Sequence, residues 1–221
     1  MNNNRKKIQM LVGIALLSAL VIVFQVIGNH VVIGTVNITL ALIPIAVGAI
    51  LYGPLVGGFL GLVMGAIVIA APGTIATFMP VNPWGTILIC LTKTGLAGLV
   101  AGFIFKGFAK LAQKYEDKKM IFFTVGIIAA TLIIPIINTG EFIIGASILF
   151  RSIFGAEDSF SDAFPKVVAA VLTTNFVIEF AISAVLSPAI VYVIKVITKT
   201  TDLGFSQDFS YFNSKQIATE A

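Results

Sequence analysis

NPWGTILICLTKTGLAGLVAGFIF, Asn82 to Phe105, is a run of 24 residues in which a single residue, Lys93, carries a charge. About 20 apolar residues cross the hydrocarbon core of a bilayer, so this stretch is long enough to span with some tilt. Lys93 then lies roughly 15 Å from either end at 1.5 Å rise per residue, close to the midplane. An ammonium group at that depth costs at least ~2.5 kcal/mol and is turned toward a partner, the bundle interior or a water-filled cavity. Two readings are open: Lys93 holds the bundle together as half of a structural ion pair, or it belongs to a polar ligand site.

The rest of the chain has the same character. Hydrophobic residues make up 58% and charged residues 11%, against roughly 25% charged in a soluble domain. An all-α integral membrane protein is expected. The N-terminus MNNNRKKIQM is basic, but the apolar run after it continues to Ile27 without a small-residue cleavage pattern, which predicts a retained first helix and not a signal peptide. Cys90 is the single cysteine and lies inside an apolar span, so no internal disulfide and no cysteine cluster for a metal is expected.

Splitting the apolar runs at Gly, Pro and polar clusters gives Ile8 to Ile27, Ile38 to Tyr52, Pro54 to Ala71, Pro83 to Phe105, Met120 to Phe150 and Lys166 to Ile197. These are six transmembrane helices in one domain, residues 1–199, followed by a polar tail, 200–221. With the N-terminus inside, eleven Lys and Arg fall on the inner side: Arg5, Lys6, Lys7, Lys106, Lys110, Lys114, Lys118, Lys119, Lys195, Lys199 and Lys215. Only Arg151 and Lys166 fall outside. Cytoplasmic loops carry the excess of Lys and Arg, so both termini are expected in the cytoplasm, and the net charge of +4 is a topology signal that implies no nucleic-acid partner.

Small residues punctuate the first half. Ala15 and Ala19, with Gly13 nearby, are four apart in the first span, which lets another helix approach closely; the face either packs internally or docks a separate membrane protein. Gly53, Gly57, Gly61 and Gly65 recur every fourth residue, a close-packing pattern of membrane helices that says nothing about chemistry. The apolar loop Gly28 to Asn37 is expected to fold over the outer mouth of the bundle, with His30 and Asn37 as candidate ligand contacts. His30 is the only histidine and has no carboxylate beside it, so no metal is expected.

The loop Pro72 to Pro83 carries no charge and runs into Trp84. Trp84 is either an interfacial anchor or, beside Asn82 and Phe78, part of a pocket mouth. The fifth span, at 31 residues, measures about 46 Å as a continuous helix, too long for a core of about 30 Å. Pro135 and Asn138-Thr139-Gly140 are expected to break it just before Glu141. Broken backbone at membrane depth is tolerated where it is buried in protein or lines a cavity. In the sixth span Asn175 and Glu179 are four apart and share a face. Lys93, Asn138, Glu141, Asn175 and Glu179 are therefore expected to converge in the outer half of the bundle. One lysine against two glutamates exceeds the needs of a structural pair, and the extra carboxyl and the amides fit a small polar ligand held between apolar walls.

Enzyme chemistry finds no support: HExxH, GxSxG, a P-loop and a histidine cluster are all missing from the sequence. No cofactor is expected, and ATP-derived energy would have to come from another polypeptide. A stand-alone secondary carrier is the rival reading, but inverted repeats and paired broken helices are not evident between Met1–Phe105 and Met120–Lys199.

Taken together, the six-span layout, Ala15-x-x-x-Ala19, the apolar loop after the first helix, TVNITLALIPIAVGAILYGPLVGGFLGLVMG (Thr35 to Gly65) and NPWGTILICLTKTGLAGLVAGFIFK (Asn82 to Lys106) resemble the substrate-binding S components of energy-coupling factor vitamin transporters. The resemblance covers about Ile8 to Lys199. It implies capture of a vitamin from outside in a pocket closed by the first loop, and docking through the first helix onto a transmembrane T subunit that carries two ATPase subunits, in a bacterial plasma membrane. Ala15 and Ala19 match the docking motif residue by residue. NPWGTILICLTKTGLAGLVAG and IIPIINTGEF look most similar to S components assigned to pantothenate; Lys93 would then face the carboxylate, while Asn138, Asn175 and a glutamate bond the hydroxyls and amide. The second glutamate fits a cationic or neutral ligand equally well: a thiamin precursor, a pyridoxine-like compound or a queuosine precursor, with folate a further alternative.

Overall fold

The structure, a computed structural model, describes residues 3–29, 32–33, 36–37, 39–156, 159–172 and 176–200. It is a helical bundle. The helices are α1 (Asn3–Gly28), α2 (Leu42–Tyr52), α3 (Pro54–Ile69), α4 (Pro72–Thr77), α5 (Pro83–Lys114), α6 (Lys119–Leu149), α7 (Phe160–Val171) and α8 (Val177–Thr200). Between α1 and α2 the chain forms two strands of two residues each, β1 (Val32–Ile33) and β2 (Val36–Asn37), paired antiparallel with Val32 opposite Asn37.

Among the described residues, four helical segments are long and apolar enough to cross a membrane: Lys7–Gly28, Pro83–Lys114, Lys119–Leu149 and Val177–Thr198. Helices α2 and α3 are apolar but shorter, with 11 and 16 residues. They form a hairpin about Gly53, whose φ of 94° is open to glycine and strained for other residues. Nearly every residue of α2 is buried, so it serves as the inner pillar against which α1, α3, α5 and α6 pack.

The glycine periodicity finds its reason in the α3–α5 contact. A Cβ added at Gly57 would stand 2.4 Å from the Gly98 carbonyl oxygen, at Gly61 2.1 Å from that of Thr94, and at Gly65 2.5 Å from that of Cys90. Gly98 answers from the other side, 2.1 Å from the Gly57 oxygen. The two backbones touch, and this fixes the rotation of α5. Gly53, the first of the four-residue repeat, serves the turn instead. Because the clashing atoms are backbone, Gly61→Ala is expected to force the helices apart at a cost of about 1–3 kcal/mol. Thermal unfolding in detergent should show a clear drop for that variant and none for Gly107→Ala, where an added Cβ meets nothing within 4 Å and alanine is the better helix former.

Two expectations about the later spans are corrected. Helix α6 runs unbroken from Lys119 to Leu149, through Pro135 and Asn138-Thr139-Gly140. Proline forfeits one backbone bond, and burial of Ile134 and Pro135 against neighbouring helices makes that tolerable within a membrane bundle. Helix α5 continues past Phe105 to Lys114 and is joined to α6 by a short 3₁₀ turn, Glu116–Lys118. The last span is divided between α7, which ends at Val171, and α8, which begins at Val177, with π-helical backbone at Leu172 and Phe176. Such π segments are found frequently at functional sites. Helix α7 is amphipathic, burying Ala163, Val167 and Val171 at four-residue spacing while Phe160 and Phe164 stay exposed.

The core is in two parts. The larger one joins α1, α2, α3, α5, α6 and α8 around residues such as Ile45, Leu60, Phe105, Phe123 and Ile194. A smaller one gathers Ile89, Ile143, Ala146, Phe150, Val167 and Val171. Between them lies a cavity.

Candidate functional site

The cavity has a volume of about 780 Å³, within the range of small-molecule sites. Met64 contributes from the larger core, and Ile89, Phe150 and Val171 from the smaller one. Its polar wall draws on α1, α4, α5, α6 and α8, with Asn29 and Thr39 beside them. Because α3 fixes the rotation of α5, the residues Thr86, Ile89, Cys90 and Lys93 face inward at spacings of three and four. Helix α6 adds Asn138, Thr139 and Phe142, α8 adds Glu179, and α1 adds Gln25.

Lys93 does not pair directly with a glutamate among the described residues; its ammonium lies over the Phe142 ring, 5.0 Å from the centroid. A cation over an aromatic face gains roughly 0.5–2 kcal/mol and keeps its N–H groups free for other acceptors. Glu179 is 3% exposed, and its Oε1 accepts a hydrogen bond from the Thr39 hydroxyl at the foot of α2. Its Oε2 is buried without a partner, as are Asn138 Oδ1 and Gln25 Oε1. A buried acceptor left unpaired costs about 1–3 kcal/mol. All three residues line one cavity, so the wall is suited to a molecule bearing O–H or N–H donors, while Lys93 supplies donors and a positive charge. Aromatic rings close the remaining sides: Phe78 meets Phe142 and Phe150 edge to face, at 5.7 and 5.1 Å between centroids, and Phe154 lines the cavity with them.

Of the residues singled out in the sequence, Lys93, Asn138, Glu179 and Phe78 come together here. Glu141 does not line the cavity. It lies on the α5–α6 seam, where the Thr92 hydroxyl donates to its Oε1; Leu88 and Leu96, one turn to either side of Thr92, are exposed, so this pair sits toward the outer surface of the bundle. Asn82 caps α5, its Oδ1 accepting from the Gly85 N–H at 2.9 Å. Trp84 is 80% exposed, in keeping with an anchor and away from the cavity. His30 and Asn175 lie outside the described residues, as does the tail; of Asn37 the backbone alone, in β2, is described. On α1, Ala15 and Ala19 are exposed on the outward face, whereas Gly13 faces inward, its Cβ position 2.0 Å from the Tyr52 hydroxyl oxygen.

Sequence reasoning missed Gln25, Asn29 and Thr39. Gln25 did carry a signal, as an uncharged polar residue within an otherwise apolar span. Among the described residues, no group of three His, Cys, Asp or Glu is placed to hold a metal ion. The cavity has the means to bind and orient a small polar molecule.

No curated protein and no solved structure matches the chain. A family model described as ECF transporter, substrate-specific component, matches residues 9–191, which include every helix that contributes to the cavity. The chain belongs to the substrate-specific components of ECF transporters, membrane subunits that capture substrate for an importer.

Proposed function

We propose that this chain captures a vitamin, pantothenate, from outside a bacterial cell and hands it inward in complex with a T subunit and two ATPase subunits. The observation that carries this reading is Lys93 held in a cavity opposite the unpaired acceptors of Asn138 and Glu179. Pantothenate brings a carboxylate for the ammonium, and two hydroxyls and an amide N–H for acceptors. In this reading α2 and α3 complete a six-span bundle, and the distribution of Lys and Arg, eleven against two, sets both termini in the cytoplasm with the cavity toward the outside. Asn175 joins Glu179 on the ligand side, and His30 and Asn37 cover the mouth.

The buried Glu179 favours a second reading, in which the ligand is a neutral or cationic vitamin such as a pyridoxine-like compound or a thiamin precursor. Competition between labelled pantothenate and each of these for the purified protein separates the two. Reconstitution tests the role itself. Liposomes containing this chain alone are expected to bind labelled pantothenate without ATP-dependent accumulation, and accumulation should appear when T and ATPase subunits are added. Uptake by the chain alone would make it a secondary carrier.

A further inference from the structure

The acceptor that no reading of the motifs assigns is Gln25. It is 6% exposed and lines the cavity. Its amide N–H donates to Asn29 Oδ1 at 2.9 Å, which orients the side chain and leaves Oε1 buried without a partner. Helix α1 is otherwise lightly held. Over its apolar stretch 11% of residues are buried, against 44% in α5 and 39% in α6, and its packing partners are α2 and α3. The cavity's charged groups, Lys93 and Glu179, and the Asn138 amide come from α5, α8 and α6.

We propose that Gln25 is a ligand contact, its Oε1 accepting a hydrogen bond from an O–H or N–H of the captured molecule, and that the occupied cavity thereby fastens α1 to the other half of the bundle. Gln25 is one and a half turns or more along α1 from Ala19 and roughly 15 Å from Ala15 by helical rise, so the helix that touches the ligand also carries the outward small-residue face. Occupancy is then communicated to that face by a single rigid element. The inference rests on the capture reading above.

The test uses the full chain in detergent, with labelled pantothenate, pyridoxine, thiamin and folate as probes. For whichever binds, Gln25→Met, which keeps the length of the side chain and removes the acceptor, is expected to weaken binding at least tenfold while leaving ligand-free thermal unfolding unchanged. In the wild type that same ligand should slow hydrogen exchange of the α1 backbone around Val21 to Asn29, an effect that needs no variant and that Gln25→Met should remove. A ligand bound equally well by Gln25→Met, or one that leaves exchange in α1 unchanged, overturns the proposal while the capture reading stands. If none of the four probes binds the wild type, the vitamin-capture reading falls and this proposal falls with it.

Discussion

Lys93→Ala is expected to weaken ligand binding by more than tenfold without unfolding the protein. The reason lies in what surrounds the ammonium. It lines the cavity and rests on Phe142 with no direct ion pair among the described residues, so its N–H groups face a ligand instead of being used up by the bundle. A charge-assisted hydrogen bond in a desolvated site contributes about 1.5–3 kcal/mol, and tenfold in affinity corresponds to about 1.4 kcal/mol. Losing one such bond to an anionic ligand therefore exceeds tenfold. The sign identifies the ligand as well. Lys93 is the one cavity cation among the described residues, and its removal beside the Glu179 carboxylate should weaken an anionic vitamin and strengthen a cationic one. Equilibrium binding of labelled pantothenate and thiamin to wild type and Lys93→Ala measures both. Unchanged affinity for every ligand in a folded variant would return Lys93 to a structural role.

Lys93 and Glu179 were legible because a charge within an apolar span has few places to go. The glycine repeat was legible as close packing, though not which helix would press against it. What the sequence withheld was mostly rotation. Asn138 and Glu141 are three residues apart on α6, about 60° around the helix at 3.6 residues per turn, and that difference places one in the cavity and the other on the seam with Thr92. The same holds for Gly13 beside Ala15: two residues turn the chain by about 200°, so Gly13 meets Tyr52 while Ala15 faces outward. Gln25 is visible as a polar residue, but its inward position depends on the packing of α1 on α2 and α3. Pro135 misled for a different reason. Its local preference for ending a helix is weak beside the cost of leaving several backbone groups unpaired in a membrane, and the helix continues.

Bulky residues at Ala15 and Ala19 are expected to abolish module-dependent uptake while leaving ligand affinity within about threefold of wild type. The two alanines are four apart and so lie about 40° from one another on α1, both exposed, on a face flanked by exposed Leu11, Leu16 and Val23. Between helices in lipid there is no hydrophobic gain from association, and what holds them is close van der Waals contact, which small residues permit. A leucine at both positions would keep a partner helix at a distance and forfeit that contact, so the loss should fall on assembly. The cavity lies on the other side of α1, where Val21 and Gln25 are buried, and it should be untouched. Gly13→Leu provides the contrast. Its side chain would run into the Tyr52 ring, 2.0 Å from the hydroxyl oxygen at the Cβ alone, and the expected result is a less stable isolated protein with assembly impaired only as a consequence. Co-purification of T and ATPase subunits, uptake in liposomes, ligand affinity and thermal unfolding measured on both variants separate the two faces. Loss of ligand binding or of thermal stability in Ala15→Leu/Ala19→Leu would instead make the outward face part of the bundle's own packing.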